Sequence, residues 1–474
     1  MKQHFVVSTF LLATLSPSIH ADSLGRVYEL ALENDYQFQR AIDTYKADQE
    51  LPIIARAGLL PEISADYLLR SVSEDFTAKE LIATEDGGLQ EEDIDFDRDE
   101  DEHGWAVRLD QPLFDAPAWY GYQKGKSEAL VAESVFANAQ QDLLLRSVRA
   151  YLDVLRAQDD LAAARAQQRA FGQQLELSQE RYKARLIPIT DVADSQSAYD
   201  LAAVLSIEQT SKVETALEAL SNLTGQTHSV INILRSDFIP TAPEPNDSKN
   251  WEEAASSDNL MLLAARHTEA AAQENSKAAA WGHSPTLTFS AFAASIDASG
   301  SLDSDPDSPF AFDPDRDSDI TGLELRLKIP LYEGGATSAN RRRAAHQYQA
   351  SRDLVNETQR KAMTKARQLF QQVNSDLLRI EGLRQSILSA KARFDAAEAG
   401  YAVGTRTIID VLNAQNILFS AERDYANSRY DYIEHSFRLR ATGARLRPGD
   451  LYRLDAFLLP PSGQQAKQRA VPQL

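Results

Sequence analysis

The amino-acid sequence predicts a mostly α-helical protein with a small β part, in which two internal structural repeats contribute four membrane β-strands per chain. Three observations carry this. The 474 residues include only 20 Gly and 18 Pro, and long tracts lack both, so the helices must far exceed the usual three or four turns. Four short segments alternate apolar and polar residues, in two pairs that each flank an acidic block. Punctuation and period also recur together between the halves: Gln111-Pro-Leu-Phe114 matches Ile329-Pro-Leu-Tyr332, while Tyr182, Asp191 and Gln196 match Tyr401, Asp410 and Gln415.

Residues 1–21 read as a signal peptide: Lys2, an apolar run over residues 5–15, then Ser-Pro-Ser-Ile-His-Ala before Asp22. Ile19 is not the small residue expected two positions before Ala21, so a cut after Ser18 stays open. No other stretch is apolar over the roughly 20 residues that a spanning helix needs. Cysteine is absent, which excludes disulfides, thiolate metal sites and a lipidated N-terminal Cys.

Repeat 1 is expected over residues 22–232, with helices at about 22–60, 116–184 and 190–224 and strands at about 62–72 and 104–114. Repeat 2 is expected over 251–445, with helices at about 251–282, 335–402 and 407–443 and strands at about 285–297 and 319–330. Residues 233–250, with Pro240, Pro243 and Pro245, form an extended linker, and 446–474 an equatorial segment with a disordered C-terminal tail. The strands are read from Leu323, Leu325, Leu327 and Ile329; from Trp105, Val107 and Leu109; and less cleanly from Ile63, Ala65, Tyr67 and Leu69 and from Leu287, Phe289, Ala291 and Ala293.

The formal charge of −21 is concentrated. Residues 73–102 hold 14 Asp or Glu against Lys79 and Arg98, and residues 297–319 hold 8 Asp against Arg316. Such blocks read as solvated loops joining the strands of two hairpins. Asp303, Asp305, Asp307, Asp313, Asp315 and Asp317 lack the Gly and closing Glu of a Ca²⁺ loop, so no metal site is expected. Nothing clusters Lys and Arg with aromatics as a nucleic-acid surface does. Neither a catalytic triad, a phosphate-cradling loop nor a metal motif stands out among the scattered His, so neither an enzyme nor a cofactor is expected. Four strands cannot close a barrel, and open edges in lipid are prohibitive, so chains must pool their strands. Two chains would give a barrel filled by side chains, whereas three or four leave a lumen.

The long helices, each about 100 Å at 1.5 Å per residue, carry coiled-coil spacing: Leu144, Val148, Tyr151 and Leu155 in one, and Phe370, Val373, Leu377, Ile380, Ile387 and Phe394 in the other. The second ends in Tyr401-Ala-Val-Gly-Thr-Arg-Thr-Ile-Ile-Asp410, where Gly404 permits a sharp reversal and Thr407 with Asp410 forms an acidic capping box.

These residues resemble the second hairpin tip of the TolC family, trimeric outer-membrane channel-tunnels of drug efflux and type I secretion, and the similarity extends over essentially the whole mature chain. The resemblance implies three copies, a 12-stranded barrel in the outer membrane of a Gram-negative bacterium continuing into a long periplasmic α-helical barrel, and an iris-like periplasmic gate. It implies a gate latch in which Tyr401 and Arg406 tie to Thr190 and Asp191, although Thr190 also suits a helix N-cap and Asp191 a first helical turn. It implies a constriction ring at Asp410, where a second family carboxylate is replaced by Asn413. It places adaptor contacts at Arg185 and Leu186 in the first tip and at Val403, Gly404 and Thr405 in the second. Arg185 departs from the family's Val-Gly-Leu, which bears on adaptor choice, and Pro188 would stiffen that turn. The implied partners are a periplasmic adaptor protein, an inner-membrane RND, ABC or MFS transporter, and outer-membrane lipid. The competing reading is a periplasmic coiled-coil scaffold without a pore.

Overall fold

The computed structural model describes residues 21–83, 87–305 and 315–461. The expected signal peptide through residue 20, Asp307, Asp313 and the tail from residue 462 lie outside the described residues. The chain divides into two compact units, one comprising Lys46–Ala132 with Ala265–Val355 and the other the remainder.

In chain order the elements are α1 (Leu24–Asn34), α2 (Tyr36–Gln49), α3 (Leu51–Ala57), β1 (Glu62–Ala83), β2 (Leu89–Phe114), α4 (Ala116–Lys183), α5 (Ile189–Thr224), β3 (Ile233–Leu234), α6 (Ser248–Asp258), α7 (Leu260–Ala280), β4 (Thr286–Asp305), β5 (Arg316–Lys328), α8 (Ala336–Ala402), α9 (Ile408–Thr442), α10 (Pro448–Asp455) and β6 (Leu458–Leu459).

The sheet unit holds β1-β2-β4-β5 in that order, every neighbour antiparallel. Tyr67 faces Trp105, which faces Ser295. Period-2 geometry puts Ile63, Tyr67, Leu69, Trp105, Val107, Leu323, Leu325 and Leu327 on one face, all exposed. On the opposite face Arg108 donates to Asp110, and the Ser290 hydroxyl also donates to Asp110. Among the described residues β1 and β5 each leave one edge unpaired.

The strands outrun the expectation. Residues 73–102 were expected as a solvated loop, yet the β1–β2 ladder continues to Ala83 opposite Leu89. The cause is an alternation inside the acidic block: Asp95, Asp97, Asp99 and Asp101 point one way, while Ile94 and Phe96 point the other and are buried. Phe96 stacks on Phe76 with ring centroids 5.2 Å apart, and such cross-strand aromatic pairs offset like-charge pairs such as Asp75 opposite Asp97. The second block likewise is strand through Asp305 and again from Arg316.

The second unit is a helical core. The predicted seam is present: Leu144, Val148, Tyr151 and Leu155 on α4 and Val373 and Ile380 on α8 are buried. Asp376 is a buried carboxylate in the α8 row; His435 Nδ1 of α9 lies 2.7 Å from it and Gln372 donates to it. The Tyr151 hydroxyl lies 2.8 Å from the Asn232 carbonyl and 3.1 Å from that of Asp22, which ties the start of the described chain to the segment after α5. Burial holds the Tyr151 phenol well above its ordinary pKa. The first helical stretch is broken where Asp35 ends α1 and its carboxylate accepts from Phe38 N. After α9, β6 pairs with β3, and Leu451 and Leu454 of α10 join the core.

Candidate functional site: the two hairpin tips

Both tips lie in the helical unit. At the second, α8 ends through three donors that converge on the Gly400 carbonyl: Thr405 N at 2.9 Å, Arg406 N at 3.3 Å and Thr405 Oγ1 at 3.1 Å. Gly404 adopts φ +79°, the left-handed region that an L side chain resists. The predicted capping box is formed: the Thr407 hydroxyl accepts from Asp410 N, and the Asp410 carboxylate accepts from Thr407 N at 3.0 Å. That backbone bond, then the Thr407 hydroxyl, with Arg406 and Arg393 adding charge, holds the Asp410 carboxyl below the usual range. Asp410 is therefore an anion at any neutral pH. Asn413, one turn on along the same side of α9, is exposed and neutral.

At the first tip, Arg185 takes φ +57°. It stands 219 residues before Gly404, so both repeats use a left-handed residue at the same point of the reversal, one Gly and one Arg. The Leu186 amide donates back to Arg181 O at 2.9 Å and closes the helix end. The N-cap of α5 is Pro188, not Thr190. Pro188 is already extended at ψ 161° and directs the chain into the helix two residues earlier, leaving Thr190 inside the first turn with Asp191. Thr190 is exposed, and its hydroxyl is 3.5 Å from Asp191 Oδ1.

Between the hairpins, Tyr401 packs against the apolar cluster that contains Phe171, Ile408 and Val411, and the Arg181 guanidinium lies over its ring at 5.1 Å. The Tyr401 hydroxyl is buried and has no hydrogen-bond partner among the described residues. Thus Tyr401 does meet the first hairpin, at Arg181, a residue the sequence reading missed. Its position three residues after Ser178, which bonds Ser195 across the hairpin, offered no signal by itself. Among the described residues no ion pair joins Arg406 to Asp191 within one chain. Arg406 instead folds over Gly400, where an added Cβ would lie 2.6 Å from Arg406 Cγ. Leu186, Val403, Gly404 and Thr405 are exposed, as is Arg185. Among the described residues no group of three or more His, Cys, Asp or Glu is placed to hold a metal ion.

The profile of a family described as Outer membrane efflux protein matches residues 27–226 and 251–443, once for each repeat. The outer membrane protein TolC of Vibrio cholerae is 30% identical over 447 residues, covering 94% of this chain and 96% of its own length. The alkaline protease secretion protein AprF of Pseudomonas aeruginosa is 30% identical over 426 residues, covering 90% of this chain and 85% of its own. Among solved structures, CusC, described in terms of transmembrane channel formation, superposes with a TM-score of 0.72 at 15% identity over 89% of this chain and 92% of its own, a likeness of fold alone.

Proposed function

The chain belongs to the Outer membrane efflux protein family and is an outer-membrane channel protein of efflux and secretion systems rather than an enzyme, and we propose that three copies form one passive exit duct gated at the hairpin tips. The observation that carries this is the four-stranded sheet with two open edges, β1 and β5. Lipid offers no partner to an edge N–H or C=O, so the edges must meet those of other copies. Three copies supply twelve strands, enough for a lumen, whereas eight would be filled by side chains; the family resemblance supports three over four. By sequence β2 and β5 lead into α4 and α8, each about 100 Å long, the length of a tube through the periplasm.

At the far end six tips converge and close as an iris. Arg406 and Tyr401 of the second hairpin, with Thr190 and Asp191 of the first, form the latch, an arginine–carboxylate tie strong enough to hold the resting state yet reversible by a partner's binding energy. Asp410 makes a ring of three carboxylates at the constriction, with Asn413 contributing no charge. Arg185, Leu186, Val403, Gly404 and Thr405 present the surface for a periplasmic adaptor, and an inner-membrane RND, ABC or MFS transporter supplies the energy.

The test is planar-bilayer conductance of the purified protein. Open-channel currents are expected, larger in Arg406→Ala than in wild type. No conductance at all would favour a coiled-coil scaffold without a pore, and an unchanged Arg406→Ala current would remove the latch.

A further inference from the structure

The segments that follow the two hairpins of the sheet carry charge opposite to the rest of the chain. Residues 116–127 contain Lys124 and Lys126 and no Asp or Glu; residues 336–352 contain Arg341, Arg342, Arg343 and Arg352 and again none. This occurs in a chain of formal charge −21. Lys124 and Arg352 reach carboxylates farther along, at Glu128 and Glu269. Among the described residues Arg341, Arg342 and Arg343 pair with no carboxylate, and all three are exposed.

Aromatic rings precede the cations in both repeats. On one face of α4, Trp119, Tyr122 and Lys126 stand at i, i+3 and i+7. The Trp119 and Tyr122 ring centroids are 6.2 Å apart, and the Lys126 ammonium lies 4.9 Å from the Tyr122 centroid. Trp119 is 51% exposed although it is the largest side chain of the group. Tyr120 lies against Trp281, and an added Cβ at Gly282 would lie 2.7 Å from Thr337, so the start of α4, the end of α7 and the first turn of α8 share one neighbourhood. Along the chain the order is exposed apolar (Leu113, Phe114), then aromatic, then cation; in the second repeat it is Leu331, Tyr332 and then the three arginines. That order is the gradient of a bilayer leaflet, from hydrocarbon through the interface to the phosphates.

We propose that the Trp119–Tyr122–Lys126 stripe of α4 and Arg341, Arg342 and Arg343 of α8 form a belt that binds the phosphate headgroups of anionic phospholipid in the leaflet facing the periplasm. The proposal rests on the channel reading, which sets the sheet across the membrane and the helices beneath it. Helical Cα–Cβ bonds tilt toward the N-terminus, here back toward the sheet, and long cationic side chains extend to the interface. Lys126 and Arg343 stand about 15 and 10 Å along their helices. The guanidinium fork matches a phosphate bidentately, and the Lys126 ammonium is held in place by the Tyr122 ring. The belt anchors the duct at a fixed depth.

The test is native mass spectrometry of the full-length protein in detergent, offered equal amounts of phosphatidylglycerol and phosphatidylcholine. Wild type is expected to retain phosphatidylglycerol about tenfold in excess. The variant combining Lys126→Gln, Arg341→Gln, Arg342→Gln and Arg343→Gln is expected to fall within about twofold of parity with its bilayer conductance unchanged. Should that variant fail to assemble, the single variants Lys126→Gln and Arg342→Gln carry the test, each lowering the preference by about two- to threefold. Equal retention of the two lipids by wild type, or an undiminished preference in the variants, overturns the belt. Retention of inorganic phosphate by lipid-free wild type together with equal retention of the two lipids overturns it in favour of a free-phosphate site. Conductance is read separately, so a wild type without current removes the channel reading while the lipid ratio still reports on the belt.

Discussion

Gly404→Ala isolates the backbone demand of the second tip. Nothing lies within 4 Å of the added Cβ, so the substitution introduces no clash and acts only through φ +79°. Holding an L-residue in the left-handed region costs about 1–2 kcal/mol, a factor of roughly 5–30 in a local opening equilibrium. The reversal is held by the Thr405 and Arg406 amides on Gly400 O, so those amides report the opening. Hydrogen exchange followed by mass spectrometry on a peptide spanning residues 400–407 should accelerate by about that factor, while a peptide from the middle of α9 should not change. The first tip offers the reciprocal. Arg185→Gly relieves φ +57° but adds the conformational entropy of glycine, so a smaller net gain of about 0.5–1 kcal/mol should slow exchange at the Leu186 amide. Unchanged exchange in both variants would refute the argument that a left-handed residue sets each reversal.

Asn413→Asp should raise cation preference, read as a shift in single-channel reversal potential, because it doubles the carboxylates proposed at the constriction; no shift would remove Asp410 from that role. In wild type, the cation preference should hold as pH falls from neutrality through the ordinary carboxylate range and disappear only below it. Asp410 has a depressed folded pKa, so its charge and the stability of its cap persist above the ordinary carboxylate range and are lost as pH falls through the lower folded value. Tyr151→Phe takes the buried hydroxyl donor from the Asn232 carbonyl, whereas the Asp22 carbonyl still accepts from Asn232 N, and should destabilise the helical unit by about 1–3 kcal/mol, seen as a lower unfolding temperature in detergent. An unchanged transition would mean that water takes over the Asn232 acceptor.

The long helices, the four strands and the second tip were legible because each rests on a local pattern. The Thr407–Asp410 box is four residues long, the heptads of α4 and α8 repeat every seven, and Gly404 is the residue a left-handed turn favours. The acidic blocks were misread as loops because the charge count obscured the alternation of Ile94 and Phe96, which only cross-strand pairing with Phe76 makes visible. Thr190 was misread as a possible cap because its type suits one, whereas the extended backbone of Pro188 set the boundary earlier. Arg181 over Tyr401 could not be found from sequence, since α4 and α8 meet there across some 220 residues and no spacing rule links them. The left-handed turn at Arg185 was not legible, because an arginine gives no sign of a positive φ and only the observed +57° reveals it.

The central claim is that a chain with four strands and two open edges becomes a channel only with copies of itself, and the mass of the detergent-extracted protein tests it most directly. Native mass spectrometry should give three chains. A single chain, dispersed in water without detergent, would contradict the barrel and with it the gate.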